Sequence, residues 1–476
     1  MNRKSLSRRI SSRSQILYNE EDFETCLAAL IKRYRSSVPV IIIKEYERRV
    51  IKSQKKRLIE KTRKLQAPAS VATTKDSGPT GSDDDEEITL PITTSYDLQD
   101  HLTAILINKF QKETIPRDVI ALLALILPNY RNLYKFTIKK CRIDMHALHE
   151  LGKMLPYTTI TDICLDDCPL KQANCEELLQ NTTFLKNLSL CRCNINDAVC
   201  KRMAATLHYL KPAENSLETL NLSSNRIGDE GAKYFAEALR SNRHLRYLNL
   251  AGNLITDEGA SQIFNILIEF PLTYDENINR RQRFLEYLKN KIGVNKDCLR
   301  FSLPQKSVEK SFSNINVRIR SHDKMNVSYH NIVSPLKRSS SQKKNIKRDI
   351  AKSQSLRSIL SEVNLPKKAE LMSREMIGPF VDPFCPSCVT VGEKPHCIGN
   401  FVLCYLNLAY NDLTLMSVSK LLTVVEYQRC HYKPDACGLI KVVLEGNSLP
   451  VACTKLTILQ EMLKQHMLQL CKASTT

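Results

Sequence analysis

The sequence predicts an α/β solenoid, a horseshoe of stacked coils with a parallel sheet on the concave side and helices on the convex side. Three observations carry that expectation. An apolar pattern, L-x-x-L-x-L-x-x-N/C-x-L, recurs from Leu133 onward. Its starts at Leu133, Ile160, Leu185, Leu217 and Leu245 fall 27, 25, 32 and 28 residues apart. Behind each copy, as at Gly231, Ala232, Phe235, Ala238 and Leu239, apolar residues take helical spacing.

Each element of the pattern has a mechanical reason. The L-x-L step is a short strand whose alternate side chains enter the core, and the Asn or Cys stands where the chain leaves the strand and buried backbone groups need partners. Asn satisfies them better than Cys. One such unit cannot bury its apolar face alone, so units stack over one shared interior. Phe136, Ile138, Cys141 and Ile143 complete the first copy; Ile163, Leu165, Cys168 and Leu170 the second; Leu188, Leu190, Cys193 and Ile195 the third. The fourth and fifth are the clearest, with Leu220, Leu222, Asn225, Ile227 and Leu248, Leu250, Asn253, Ile255. After a long gap come Leu403, Leu406, Leu408, Asn411, Leu413 and a weaker Leu439, Val442, Leu444, Asn447, Leu449.

The residues outside the pattern set the organisation. Residues 1–64 carry 18 Lys and Arg against 7 Asp and Glu, and residues 300–357 carry 14 against 3, so these two segments account for the net charge of +20. Residues 1–65 read as a basic arm, helical or disordered, and 66–95 as a disordered linker around the acidic run Asp83 to Glu87. Residues 96–128 read as a helical cap, with Asp97 capping one helix through Phe110 and Val119 to Leu127 forming the next before Pro128. Repeats 1–5 then occupy 129–292, a basic and largely disordered insertion 293–400, and repeats 6–7 with a C-terminal helical cap over Leu456 to Leu470 occupy 401–471. Repeats 6 and 7 are expected to continue the first horseshoe, because two coils alone would leave both ends of their core exposed.

Asn225 to Ala232 and Asn253 to Ala260 read N-x-I-x-D-x-G-A, which resembles the ribonuclease-inhibitor class of leucine-rich repeat. The wider order of elements comprises five repeats, then Phe270 to Leu285, a basic insertion, a repeat ending in Val425 to Gln428, and a last copy with Gly438, Leu439, Glu445, Gly446 and Asn447. That order is similar to a family of leucine-rich-repeat proteins associated with the cytoplasm and with cilia. The resemblance implies such a location; composition and spacing do not.

Solenoids of this kind bind proteins, and the strand positions facing the concave side are the first candidates: Thr137, Asp162, Asp166, Asn187, Ser189, Thr219, Asn221, Ser223, Tyr247 and Asn249. Lys135 and Lys139 offset the two Asp, so the face offers no phosphate-binding stripe. It reads either as a groove for a partner segment or as an ordinary wet sheet.

Cys385, Cys388, His396 and Cys397 form C-x2-C-x7-H-C, four soft ligands that could hold a tetrahedral zinc; among 17 cysteines, an ordinary loop is the competing reading. The odd cysteine count and the polar, Arg/Ser-rich start suggest a reducing compartment and thiols rather than disulfides. The stretch Ser334 to Ser358 offers basic charge to acidic or polyanionic surfaces, such as tubulin or nucleic acid, or serves as a solvated spacer. Ser340 and Ser11 are phosphorylation candidates that would lower that charge.

Catalysis finds no foothold. Phosphate-loop, G-x-S-x-G, H-E-x-x-H and G-x-G-x-x-G patterns are absent, and only 13 glycines are present to build backbone cradles. The expected partner is a protein, with no small-molecule substrate, no cofactor and no membrane span. A GTPase-regulating solenoid is the alternative in another functional class.

Overall fold

The computed structural model describes residues 23–34, 38–46, 89–110, 114–170, 174–180, 184–302, 374–384, 388–391, 394–431, 437–450 and 452–473. They form two compact units, one of residues 1–270 with 396–476 and one of 271–395.

The first unit is the leucine-rich-repeat solenoid. Among the described residues its sheet has ten strands, in a spatial order identical to the chain order. β1 (Val40–Tyr46), β2 (Leu90–Tyr96) and β3 (Leu102–Asn108) lead into the repeat strands β4 (Lys135–Lys139), β5 (Asp162–Cys164), β6 (Asn187–Ser189), β7 (Thr219–Asn221) and β8 (Tyr247–Asn249). β9 (Tyr405–Asn407) and β10 (Lys441–Val443) complete it. All neighbours are parallel except the antiparallel pair β2 and β3.

The apolar teeth all point inward. In the first six copies every leucine, isoleucine, phenylalanine and cysteine of the pattern is buried. The seventh is looser, with Leu439 and Leu444 buried but Val442 and Leu449 half-buried. β9 pairs directly with β8, Leu406 opposite Leu248, so repeats 6 and 7 continue the same sheet.

The convex layer consists of helices α1 (Phe23–Tyr34), α2 (Arg117–Ile126), α3 (Met145–Met154), α4 (Glu177–Gln180), α5 (Asp197–Leu207), α6 (Asp229–Leu239) and α7 (Asp257–Asn265). In the second unit lies α8 (Tyr274–Ser302), and the solenoid resumes with α9 (Leu415–Cys430) and α10 (Thr454–Ala473).

Side-chain amides tie the coils together. Asn225 Oδ1 accepts from the Cys193 and Ile195 amides at 3.0 Å each, while its Nδ2 donates to the Leu190 and Leu222 carbonyls at 2.9 Å each. Asn253, Asn411 and Asn447 repeat the arrangement. Asn411 therefore bridges repeat 5 to repeat 6 across the insertion point. A second ladder, Asn242, Asn400 and Gln428, lies where the coils re-enter the sheet: Asn400 Nδ2 donates to the Leu239 carbonyl at 2.9 Å and Gln428 Nε2 to the Leu267 carbonyl at 3.0 Å. Wherever these amides stand they satisfy buried backbone groups of the coils they join, as an interior requires.

The carboxylate of the N-x-I-x-D-x-G-A motif is a third tie. Asp229 Oδ1 accepts from the Thr256 and Gly259 amides of the next coil at 2.8 and 3.0 Å, closing the exposed donors at the start of α7. A Cβ on Gly259 would lie 2.4 Å from that oxygen, which is why glycine stands there. In repeat 6 the glycine is replaced by Ser417, whose amide still donates to Asp257 Oδ1 at 3.2 Å and whose hydroxyl donates to the same oxygen.

The N-terminal region departs from the expected helices. Leu102–Asn108 is a strand, not a helix capped by Asp97; that carboxylate accepts from the Gln99 and His101 amides at 2.8 and 2.9 Å and closes the turn between β2 and β3. Leu90–Tyr96, placed in the expected linker, alternates strictly between buried and half-buried, the period of a strand. Val40–Tyr46, within the expected helical arm, is the first strand of the sheet, so only Phe23–Tyr34 of that arm is helical among the described residues. Glu24 fastens α1 to β2 by accepting from Thr94 Oγ1 and the Tyr96 hydroxyl at 2.9 and 2.8 Å.

The second unit begins at 271, not at 293, and α8 runs through that expected boundary. Within it Arg283 clamps the buried Asp382, Nε and Nη2 lying 2.7 and 2.6 Å from Oδ2. Phe284, Tyr287 and Phe380 pack against one another, and the Tyr287 hydroxyl donates to the Gly378 carbonyl at 2.9 Å. At its far end the boundary falls at 395, so His396 to Asn400 belong to the solenoid. Ser11, Ser340, Cys385 and the stretch Ser334 to Ser358 lie outside the described residues.

Candidate functional site

The concave face is built by strand alternation: each strand's central residue enters the core and its two flanking residues face outward. Nine of the ten predicted positions (Asp162, Asp166, Asn187, Ser189, Thr219, Asn221, Ser223, Tyr247 and Asn249) are half-buried on this surface. Thr137 is the exception. It is 6% exposed, flanked in register by Leu106 and Cys164, and is not available to a partner.

Across β5, β6 and β7 the floor is a connected polar sheet. Asn187 Nδ2 donates to Asp162 at 2.8 Å, Ser189 Oγ to Asp166 at 2.6 Å, and Asn221 Nδ2 to Ser189 Oγ at 2.9 Å. Burial works against the Asp166 carboxylate, yet the hydroxyl and thiol of Ser189 and Cys164, the Cys191 amide and nearby Lys139 hold it below the usual carboxylate range. Burial and the same carboxylate push the Cys164 thiol up to about 11. These groups satisfy one another, so they fix the shape of the floor more than they supply free charge. A shallow cavity of about 270 Å³ lies over it, bordered by Lys135, Asp162, Asn187, Thr219, Asn221 and Tyr247.

Across β8, β9 and β10 the floor changes character. Tyr247 and Tyr405 stack with ring centres 4.1 Å apart and planes 7° from parallel. Burial and the neighbouring Tyr405 hydroxyl push the Tyr247 hydroxyl up to about 12. Lys441 lies with its ammonium 5.5 Å from the Tyr405 ring centre. Tyr405 and Lys441 were missing from the sequence-predicted positions. Their signal was present, since Leu403-Cys404-Tyr405-Leu406-Asn407 repeats Leu245-Arg246-Tyr247-Leu248-Asn249 with the tyrosine in register.

The face combines rigid aromatic area with fixed donors and acceptors, which suits a protein surface. Of the proposed zinc ligands, His396 is half-buried and Cys397 fully buried, with Arg243 Nη2 3.5 Å from the Cys397 sulfur. Among the described residues no group of three or more His, Cys, Asp or Glu is placed to hold a metal ion. The described cysteine side chains are all thiols, and among the described residues no helix is long and apolar enough to cross a membrane.

A family model described as Leucine Rich repeat matches residues 214–236 and 241–264, which fall in repeats 4 and 5. The chain is also 28% identical over 106 residues to the Bos taurus protein NACHT, LRR and PYD domains-containing protein 5. That alignment covers 21% of this chain and 9% of the relative, so the likeness concerns a small part of the larger protein.

Proposed function

We propose that this leucine-rich-repeat protein is a non-enzymatic scaffold that holds a segment of a partner protein against its concave face. The observation that carries the reading is the stacked Tyr247 and Tyr405 pair beside a fixed polar floor. Large aromatic side chains of low conformational entropy next to pre-organised hydrogen-bonding groups are what protein interfaces use as anchors.

The order of repeats and insertion resembles leucine-rich repeat-containing protein 71, and this likeness supports a cytoplasmic place of action with an association with cilia. Proximity labelling in ciliated and non-ciliated cells tests both parts. The Tyr247→Ala/Tyr405→Ala chain should unfold at nearly the parental temperature and lose the specific neighbours of the parent chain. An unchanged set of neighbours would reject the concave face as the binding surface.

A second reading rests on the concentration of positive charge in residues 300–357. These residues support salt-sensitive attachment to a polyanion such as the tubulin surface or nucleic acid. Binding should weaken steeply with salt and vanish when 300–357 are deleted; binding unaffected by that deletion would reject it. A GTPase-regulating role, the remaining alternative, is tested by GTP hydrolysis with candidate GTPases.

A further inference from the structure

Among the described residues, the outer edge of β10 has no neighbouring strand. β10 is the last strand of the sheet and spends one side of its backbone on β9: the Lys441 amide donates to the Cys404 carbonyl at 3.1 Å, and the Val443 carbonyl accepts from the Leu408 amide at 2.9 Å. Backbone groups of a strand alternate in direction, so the amides of Val442 and Leu444 point outward, where a further strand would lie. The core is open here as well. The tooth Val442 is half-buried, whereas its equivalents Leu248 and Leu406 are fully buried. Between β10 and α10 runs an apolar groove of about 330 Å³ lined by Ile440, Val442, Leu444, Leu459, Leu463 and Met467.

We propose that this end is covered by a second copy of the same chain, its β10 adding antiparallel to the open edge about a two-fold axis through Val443. The charges of the strand select that occupant and that register. In the run Lys441-Val442-Val443-Leu444-Glu445, such an axis sets Lys441 opposite Glu445 of the second copy, and Glu445 opposite its Lys441. Both side chains are exposed on the same face of the strand. The outward backbone groups fall into place in the same register, because Val442 and Leu444 of one copy meet Leu444 and Val442 of the other as hydrogen-bonded pairs. A shift of the axis to Val442 would set Lys441 opposite Val443 and Glu445 opposite Leu439, losing both ion pairs. An interface of this kind is isologous and closes as a dimer instead of growing into a fibre. The two grooves then merge into one apolar layer roofed by α10 of both copies.

Sedimentation equilibrium of the full chain from about 1 to about 100 μM tests the proposal, a span that covers ordinary reversible dimers. A dimer is expected. Two cross-strand ion pairs turned into like-charge pairs should raise its dissociation constant about 10-fold or more in Glu445→Lys and in Lys441→Glu. The double variant Lys441→Glu/Glu445→Lys should regain parental association, since the pairs re-form with signs exchanged. Circular dichroism verifies that each variant keeps the parental fold. A chain monomeric throughout the range, a dimer indifferent to both reversals, or a folded double variant that stays as weak as the singles would each overturn the proposal. The second of these would point instead to another surface, such as the opposite sheet edge at β1.

Discussion

Repeats 1 to 3 and repeats 4 to 7 perform the same turn with different chemistry. In the later coils an asparagine accepts from amides of the preceding coil and donates to carbonyls of both, so each one staples two coils. In the earlier coils a cysteine stands there, and the Cys168 and Cys193 thiols donate to the Ile138 and Leu165 carbonyls at 3.5 and 2.9 Å. A thiol is a weak donor and a poor acceptor, so the early coils depend more on packing than on side-chain staples. The family model falls on repeats 4 and 5, within the asparagine half.

The comparison predicts graded losses in chemical unfolding. Asn253→Ala should cost the most, about 3 kcal/mol, because it strips partners from the Ile227 amide and from the Leu222 and Leu250 carbonyls inside the core. Gly259→Ala should cost about 2 kcal/mol through overpacking. Its new methyl would meet Asp229 Oδ1 at 2.4 Å and the Asp229 Cα at 2.8 Å, so Asp229→Ala on the same chain should recover only part of the loss. Cys193→Ala should cost about 1 kcal/mol, the net worth of one hydrogen bond and a small volume. Equal losses at Asn253 and Cys193 would dissolve the distinction between the two halves.

The smallest effect is the pH dependence contributed by one thiol of the cysteine half. Burial pushes the Cys168 thiol up from its ordinary 9.0 to about 12. The folded chain therefore holds this proton more tightly than the unfolded one, so the contribution is complete below 9.0 and is lost as pH rises toward about 12. Urea midpoints measured across that window should fall less steeply in Cys168→Ala than in the parent, and unchanged steepness would count against the thiol.

The repeat core was legible because its apolar teeth recur, and continuation through repeats 6 and 7 was legible because Leu403 to Leu413 keep the same spacing. The N-terminal strands were not, since they obey no repeat. Leu90–Tyr96 carries Pro91 and lies beside an acidic run, which reads as a linker, yet its alternating burial is that of a strand near the sheet edge. Asp97 is an ambiguous signal because the same carboxylate can close either a helix or a turn. The ladder of Asn242, Asn400 and Gln428 has no common position in the repeat pattern, because two of its members sit three residues before a tooth and the third lies in a helix. On the concave face, Thr137 failed because alternation fixes direction but not the height of neighbouring side chains.

The insertion leaves the solenoid after Phe270 and the chain rejoins it at His396, while β8 pairs with β9 and Asn400 and Asn411 stitch the coils on either side. The polypeptide connection between residues 271 and 395 is thus not what keeps the two parts of the horseshoe adjacent. Cleavage at an engineered protease site placed between them should yield fragments that travel together until denaturant separates them. The same halves expressed as separate chains should find each other and rebuild the sheet.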